Sequence, residues 1–480
     1  MRDQKLTQSI DWTTIAVYFV MVIFGWINIY AAVFDPENVQ SIFSFSVNSG
    51  KQLMWIGICI FLVITPIMLL DFRFYKKLAI PAYVISMISL VAVMFLARDI
   101  KGAQSWLEVG GVRIQPSEFA KVSTALALAS FIDFPTIKLE KFFHHIGAFI
   151  IVAIPMGLII LQGDTGSALV FGAFFIVMYV KGLPPIYIIL GLVLTFFFVL
   201  TLFFKGEIYN LITYILIGAS LVSVGMVFGL KAIKRKFFHV IIILILTALL
   251  IFIVSTENYA LVMIMMGLGL VASLVVILFR RDPSVFVYVI LGVSASIILV
   301  MSMEFILTDV LQPHQSRRIE ILINPELDPR GAGYQVNQSK IAIGSGGVFG
   351  KGFLEGTQTK FDFVPDQSTD FIFCTVGEEQ GWMGSLIVIA LFVTLIYRVV
   401  ALADRQKDSF AQAYGYSVAC IFFFHFMINI GMTIGLFPVI GIPLPFFSYG
   451  GSSLVAFTIL LFILIKLDAH RMQVLGRKTD

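Results

Sequence analysis

Phe237-Phe238-His239-Val240-Ile241-Ile242-Ile243-Leu244-Ile245-Leu246-Thr247-Ala248-Leu249-Leu250-Ile251-Phe252-Ile253-Val254 is a continuous apolar run in which His239 and Thr247 are the sole polar side chains. At about 1.5 Å per residue, a helix of this length comes close to crossing a hydrocarbon core of roughly 30 Å. A barrel strand would instead alternate apolar and polar residues over short segments. Similar runs recur along nearly all of the 480 residues, of which 59% are hydrophobic and 13% charged. Soluble domains carry about 25% charge, so a soluble globule is excluded. The fold class is an all-α polytopic membrane protein.

Hydropathy predicts roughly fourteen spans. Seven lie near Thr14 to Phe34, Leu53 to Leu70, Leu78 to Ala97, Phe119 to Ile132, Ile146 to Leu161, Ser167 to Val180 and Ile186 to Phe204. Four follow near Ile208 to Leu230, Phe237 to Val254, Tyr259 to Phe279 and Val285 to Leu307. After a long polar segment, 308–370, three more lie near Phe371 to Tyr397, Tyr414 to Leu436 and Ser453 to Ile465.

With a cytoplasmic N-terminus, the basic connections fall on one side: Arg73/Lys76/Lys77, Lys138/Lys141, Lys231/Lys234/Arg235/Lys236, Arg280/Arg281, Arg398/Arg405/Lys407 and Lys466/Arg471/Arg477/Lys478. This obeys the positive-inside rule, keeps both termini cytoplasmic and leaves 308–370 outside. The net charge of +4 carries little further meaning, and nothing supports nucleic acid binding. Met1 to Thr13 is polar and precedes an apolar run too long for a signal-peptide core, so it reads as the lead-in to an uncleaved helix. Cys59, Cys374 and Cys420 stand alone in or beside apolar runs and read as packing residues. No internal repeat is visible, which disfavours a secondary transporter.

Polar detail concentrates in the external segments. Lys101-Gly102-Ala103-Gln104-Ser105-Trp106 continues through Gly110-Gly111 to Gln115-Pro116-Ser117-Glu118-Phe119-Ala120-Lys121. Pro116 and Glu118 suit a first helical turn, with Trp106 as an interfacial anchor. Gln162-Gly163-Asp164-Thr165-Gly166-Ser167 offers Asp164 either as a helix cap or as a site residue. Segment 308–370 is too long and too apolar to be a plain connector, and predicts short helices and tight turns on the membrane face. Its Gly344-Ser345-Gly346-Gly347 and Gly350-Lys351-Gly352 miss the phosphate-loop spacing, so nucleotide binding is not expected.

Asp370 opens an apolar helix, where an ionised carboxylate is costly without a partner. Glu378 and Glu379 follow in the same predicted helix, more than capping requires. Neighbouring carboxylates in a buried place would lift a pKa towards that of a general base. Asn429 leads to a Pro- and Gly-dense run from Gly435 through Ser448 to Ser453, which predicts a re-entrant loop lining a site. His144, His145 and His239 read as interfacial anchors, and His425 as a buried, hydrogen-bonded histidine with no second metal ligand at helical spacing.

Together these segments resemble the SEDS family of bacterial cell-wall polymerases (shape, elongation, division and sporulation), with RodA nearer than FtsW. The resemblance rests on Gly102 to Trp106, Gln115 to Glu118 with Lys121, Gly344 to Gly347 running into Gly350 to Thr359, Thr369 to Phe373, Gly377-Glu378-Glu379 and Gly441 to Ser453. It implies a bundle of about ten core spans and a peptidoglycan glycosyltransferase that joins lipid II on the outer face of the cytoplasmic membrane. The partner implied is a class B penicillin-binding protein, a transpeptidase that cross-links the undecaprenyl-diphosphate-linked glycan. The family's essential Asp falls at Asp370, as general base on the acceptor 4-hydroxyl. Arg317, Arg318, Lys340 and Lys351 are candidates for holding the diphosphate. Trp106, Glu118, Lys121, Asp164, Glu379 and Ser448 complete the expected substrate site. A divalent cation such as Mg or Mn could share the diphosphate.

The chain departs from the family pattern where Pro365-Asp366-Gln367-Ser368-Thr369-Asp370 lacks a histidine and where Gly163 replaces a proline before Asp164. It also carries about four extra spans between Leu183 and Arg281. The expected division is therefore a core at 1–182, inserted helices at 183–283 and a second core part at 284–480. A flippase for lipid-linked precursors, or a non-catalytic scaffold of the elongation or division machinery, are the competing readings.

Overall fold

The computed structural model describes residues 10–97, 104–109, 112–203, 298–305, 313–323, 331–361 and 363–471, with Leu307, Asp309 and Asp328. The opening run Phe237–Val254, the expected spans at 208–230 and 259–279 and most of 285–307 lie outside them, as do Gly102, Ala103, Gly110 and Gly111. The chain divides into one compact unit of residues 1–188 and 324–480 and another of 189–323.

The larger unit is a helical bundle. Its helices are α1 Trp12–Ala32, α2 Asn48–Leu69, α3 Phe72–Leu96, α4 Pro116–Ile132, α5 Phe142–Leu161, α6 Thr165–Val170 and α7 Ala173–Val180. Helix α8, Ile186–Phe203, leads into the second unit, where residues 298–305 are helical and α9 spans Pro313–Ile323. The larger unit resumes with α10 Ala332–Ser345, α11 Thr357–Lys360, α12 Ile372–Glu379, α13 Gly381–Asp404, α14 Ser409–Thr433 and α15 Gly451–Ala469. A short antiparallel hairpin, β1 Leu107–Val109 and β2 Val112–Ile114, pairs Glu108 with Arg113 just before α4. Among the described residues, 7 helices are long and apolar enough to cross a membrane, and the protein is a multi-pass membrane protein.

Local chemistry sets the helix ends. Asp11, Asp71, Asp164 and Asp408 each accept a backbone N–H in the first turn that follows them. Pro116 begins α4 with Glu118 in its first turn, as the sequence predicts. Within α2, Pro66 lacks the N–H that the ladder needs, and the strain is taken up in a π-helical turn at Cys59–Ile64 whose Ile60 carbonyl accepts from Thr65 Oγ1 at 2.9 Å.

Helix α15 is the axis of the unit: 89% of its apolar window is buried, against 17% for α2. Helix α14 packs on α4, α7, α13 and α15, and α3 packs on α4. At one end of the bundle, Asp11 is ion-paired with Arg398 and Arg405, and Asp468 with Arg405 and Arg471. The start of α1 and the ends of α13 and α15 therefore share one face, and the start of α13 lies at the other end of the bundle.

Two expected spans are broken. The run Ser167 to Val180 divides into α6 and α7 around Phe171 and Gly172. The run Phe371 to Tyr397 divides into α12 and α13, because Gly381 turns the chain at φ 66° while its backbone closes on Gly350. A Cβ at Gly381 would lie 2.3 Å from Gly350 N, which admits no side chain. Glu378 and Glu379 thus end a short helix instead of lying inside a long one.

Candidate active site

The polar segments converge on a loop, residues 434–450, between α14 and α15. Ser448 closes its turn: Leu444 N donates to Ser448 Oγ at 2.9 Å and Ser448 N to the Leu444 carbonyl at 3.0 Å. Tyr449 N donates to the Ser368 carbonyl at 2.9 Å, and Asn48 Nδ2 to Ser368 Oγ at 3.2 Å. Gly450 N reaches Gln52 Oε1 at 3.3 Å. The loop is thereby tied to α2 and to the stretch just before Asp370.

Asp370 is half-buried. Its carboxylate faces the loop at Gly441, where φ is 67° and a Cβ would stand 3.3 Å from Asp370 Oδ2. Asn429 of α14 donates from Nδ2 to the Asp370 carbonyl at 2.8 Å and to the Ile442 carbonyl at 2.7 Å. One turn earlier, His425 Nδ1 lies 3.1 Å from the Pro443 carbonyl and Nε2 lies 2.8 Å from Lys121 Nζ. An ammonium has no lone pair, so Nε2 accepts and Nδ1 carries the proton donated to Pro443. His425 is the buried, bonded histidine that its sequence context predicts.

Lys121 also donates to Glu118 Oε1 at 2.8 Å and lies 5.3 Å from the Phe457 ring centroid. The side chains of Lys121 and Glu118 are 0% and 2% exposed, so this ion pair belongs to the interior of the bundle. Both residues are candidates for the substrate site; here they form a buried pair, one hydrogen bond from His425.

Asp164 lies where the segments around Gln115 and Gln162 meet. Oδ1 caps α6 by accepting from Ser167 N at 3.0 Å, and Oδ2 accepts from Gln115 Nε2 at 2.9 Å. Gln104 N donates to the Gln162 carbonyl at 2.9 Å. A Cβ on Gly166 would stand 2.2 Å from the Ile440 carbonyl, so the segment rests against the loop. Trp106 is half-buried nearby, before the hairpin.

The glycine-rich stretch 344–352 packs on α12. Cβ atoms at Gly346 and Gly350 would come within 1.9 Å of the Gly377 carbonyl and 2.0 Å of the Glu379 carbonyl. Close backbone approach therefore accounts for these glycines without a phosphate. Glu378 is fully buried and accepts from Lys351 Nζ at 2.6 Å and from the amides of Gln358 and Thr359, each at 2.9 Å. Burial pushes its pKa up, but Lys351 and the two amides outweigh burial and hold it below the usual range. Glu379 is buried beside the same segment, where the backbone of Leu354 and Gly356 acts to lower its pKa. There burial, reinforced by Glu378, wins and lifts its pKa to about 7. Glu378 acts as a clip for residues 351–360.

Lys351 is thus matched by Glu378. Lys340 is exposed on α10, and its Nζ lies over Gly435 of the loop, 2.5 Å from where a Cβ would be. Arg317 and Arg318 lie on α9 in the second unit, exposed and half-buried. Among the described residues, no group of three Asp, Glu, His or Cys side chains converges on a point suited to a metal ion. A divalent cation held by the protein alone does not fit that donor set. Sequence reasoning missed Arg113, an exposed cation close enough to Tyr449 to lower its pKa against the raising effect of burial. It also missed Asn48 and Gln52, which carry no motif of their own.

The model of the cell cycle protein family FtsW/RodA/SpoVE matches residues 11–211 and 212–473. The chain belongs to the FtsW/RodA/SpoVE family. A FtsW/RodA/SpoVE relative, the peptidoglycan glycosyltransferase RodA of Treponema pallidum (strain Nichols), is 31% identical over 440 residues, 88% of this chain and 90% of that protein. The fold matches a chain from a peptidoglycan synthase complex in which polymerization and crosslinking are coordinated, at TM-score 0.62 and 22% identity over 97% of this chain and 99% of that one. It also matches the rod shape determining protein RodA of Thermus thermophilus, at TM-score 0.54 and 21% identity over 96% and 97% of the two chains.

Proposed function

We propose that this chain is a peptidoglycan glycosyltransferase that polymerises lipid II on the outer face of the cytoplasmic membrane during cell elongation and shape maintenance. The observation that carries the reading is the carboxylate of Asp370 set against Gly441 of the broken loop, at the end of the bundle away from the Asp11 and Asp468 ion pairs. With that basic end cytoplasmic, both termini are cytoplasmic and the carboxylate meets the outer leaflet.

The chemistry follows from the residue types. Asp370 takes the proton of the acceptor 4-hydroxyl as its oxygen attacks the anomeric carbon of the lipid-linked donor. The bond from that carbon to the diphosphate breaks, the lipid diphosphate leaves, and configuration inverts. Lys340 beside the loop offers a point charge to the diphosphate, and Arg317 and Arg318 are further candidates. Lys351 serves first as the counter-charge of Glu378. Trp106, Asp164 and Ser448 shape the rim, and Glu118 and Lys121 support it from behind. A class B penicillin-binding protein is the partner that cross-links the product.

The test is glycan synthesis from purified lipid II by the full-length chain with its partner present. Asp370→Asn should abolish polymer while leaving the protein folded. Undiminished polymer from that variant refutes the assignment, and transport of labelled lipid without polymerisation favours a flippase.

A further inference from the structure

We infer that Asn429 is a positioning residue for the general base, fastening the backbone of Asp370 to the re-entrant loop; this rests on the glycosyltransferase reading. Asn429 is fully buried on α14. Its amide nitrogen has two N–H groups, and each meets a carbonyl: that of Asp370 at 2.8 Å and that of Ile442 at 2.7 Å. The two carbonyls belong to segments far apart in sequence, so this one side chain joins them.

The orientation of the amide is fixed by chemistry. Turned over, Asn429 would point Oδ1 at two carbonyl oxygens, which can only accept. In the observed orientation Oδ1 is buried with no hydrogen-bond partner among the described residues. A buried orphan acceptor is a liability, so the residue is present for its two donors. His425, one turn before, repeats the device by donating to the next carbonyl, Pro443, at 3.1 Å. Helix α14 therefore reads two successive loop carbonyls, and the loop presents Gly441 to Asp370 Oδ2. Removing Asn429 leaves Asp370 covalently intact but releases the register between base and loop.

The experiment compares wild type, Asn429→Ala, Asn429→Asp and Asp370→Asn as full-length protein with its partner. It measures kcat and KM for lipid II across pH, together with the melting temperature of each variant. A misplacement of about 1 Å costs roughly 10²-fold in rate. Asn429→Ala should lose about 10- to 100-fold in kcat with KM changed by less than about threefold. Measured as a ratio to wild type at each pH, Asn429→Asp should be most active at acid pH, where its protonated carboxyl still donates one hydrogen bond, and should fall away from wild type as that carboxyl ionises.

A kcat for Asn429→Ala within about threefold of wild type overturns the inference. So does an Asn429→Asp pH profile parallel to wild type, or unfolding of both variants at every pH, which would make Asn429 a folding residue alone. Full activity in Asp370→Asn instead overturns the functional reading, whatever the Asn429 variants do.

Discussion

Replacing Lys121 by Met should be among the most damaging changes to stability, and the reason lies in what it leaves behind. Glu118 is buried with one oxygen bonded to Lys121 at 2.8 Å and the other, Oε2, without a hydrogen-bond partner among the described residues. Without the ammonium, a carboxylate remains uncompensated inside the bundle. Breaking a buried ion pair by removing one partner costs about 3–5 kcal/mol, whereas replacing both partners by neutral groups of similar size is often close to neutral. Lys121→Met and Glu118→Gln should each lose about 3–5 kcal/mol, and the double variant no more than about 3 kcal/mol instead of their sum. Reversible unfolding in detergent micelles, followed as a double-mutant cycle, measures the coupling. Additive losses would refute the reasoning, since they would show that the two side chains are not coupled as a buried ion pair.

Three further outcomes follow from the same geometry. Gly441→Ala forces a side chain into the left-handed region, at about 1–2 kcal/mol, and sets a methyl beside Asp370 Oδ2; polymerisation should fall by far more than melting temperature does. Glu379, with its pKa lifted to about 7 by burial and by Glu378, favours the folded state fully below its ordinary value of 4.5 and loses that contribution as pH rises to about 7. Glu379→Gln should therefore flatten the stability profile and raise stability at pH 8 by on the order of 3 kcal/mol, read from melts at several pH values. Lys351→Ala strips the counter-charge from buried Glu378, so limited proteolysis should cut the 351–360 segment faster, and Lys351→Ala/Glu378→Gln should restore protection.

The fold class was legible because lipid leaves a helix few choices: long apolar runs gave α1, α3, α5 and α14, whose starts lie two to six residues before the expected ones. The breaks were less legible. Gly381 looks like any helical glycine until the 344–352 turn closes on it, since the demand for a glycine comes from Gly350, 31 residues earlier. Among site residues, Asp370, Asp164 and Ser448 stood out as polar groups next to turn chemistry, and each lies at the loop or against its supports. Glu118 and Lys121 were legible as important but not as an internal pair, because their direction depends on α14 and α15 closing over them. His425 and Asn429 share a helix face by spacing, yet their carbonyl partners come from the loop beyond and, for Asn429, from Asp370 before. No local pattern encodes such partners.

The central claim is that Asp370 is the base of a lipid II polymerase. The most direct measurement is the pH dependence of polymerisation by wild type and Asp370→Glu beside Asp370→Asn, all with the partner present. The account predicts no polymer from Asp370→Asn, and for wild type an activity that falls at acid pH as the carboxylate is protonated. It also predicts a weak, shifted profile for Asp370→Glu. Polymer from Asp370→Asn at the wild-type rate would contradict it.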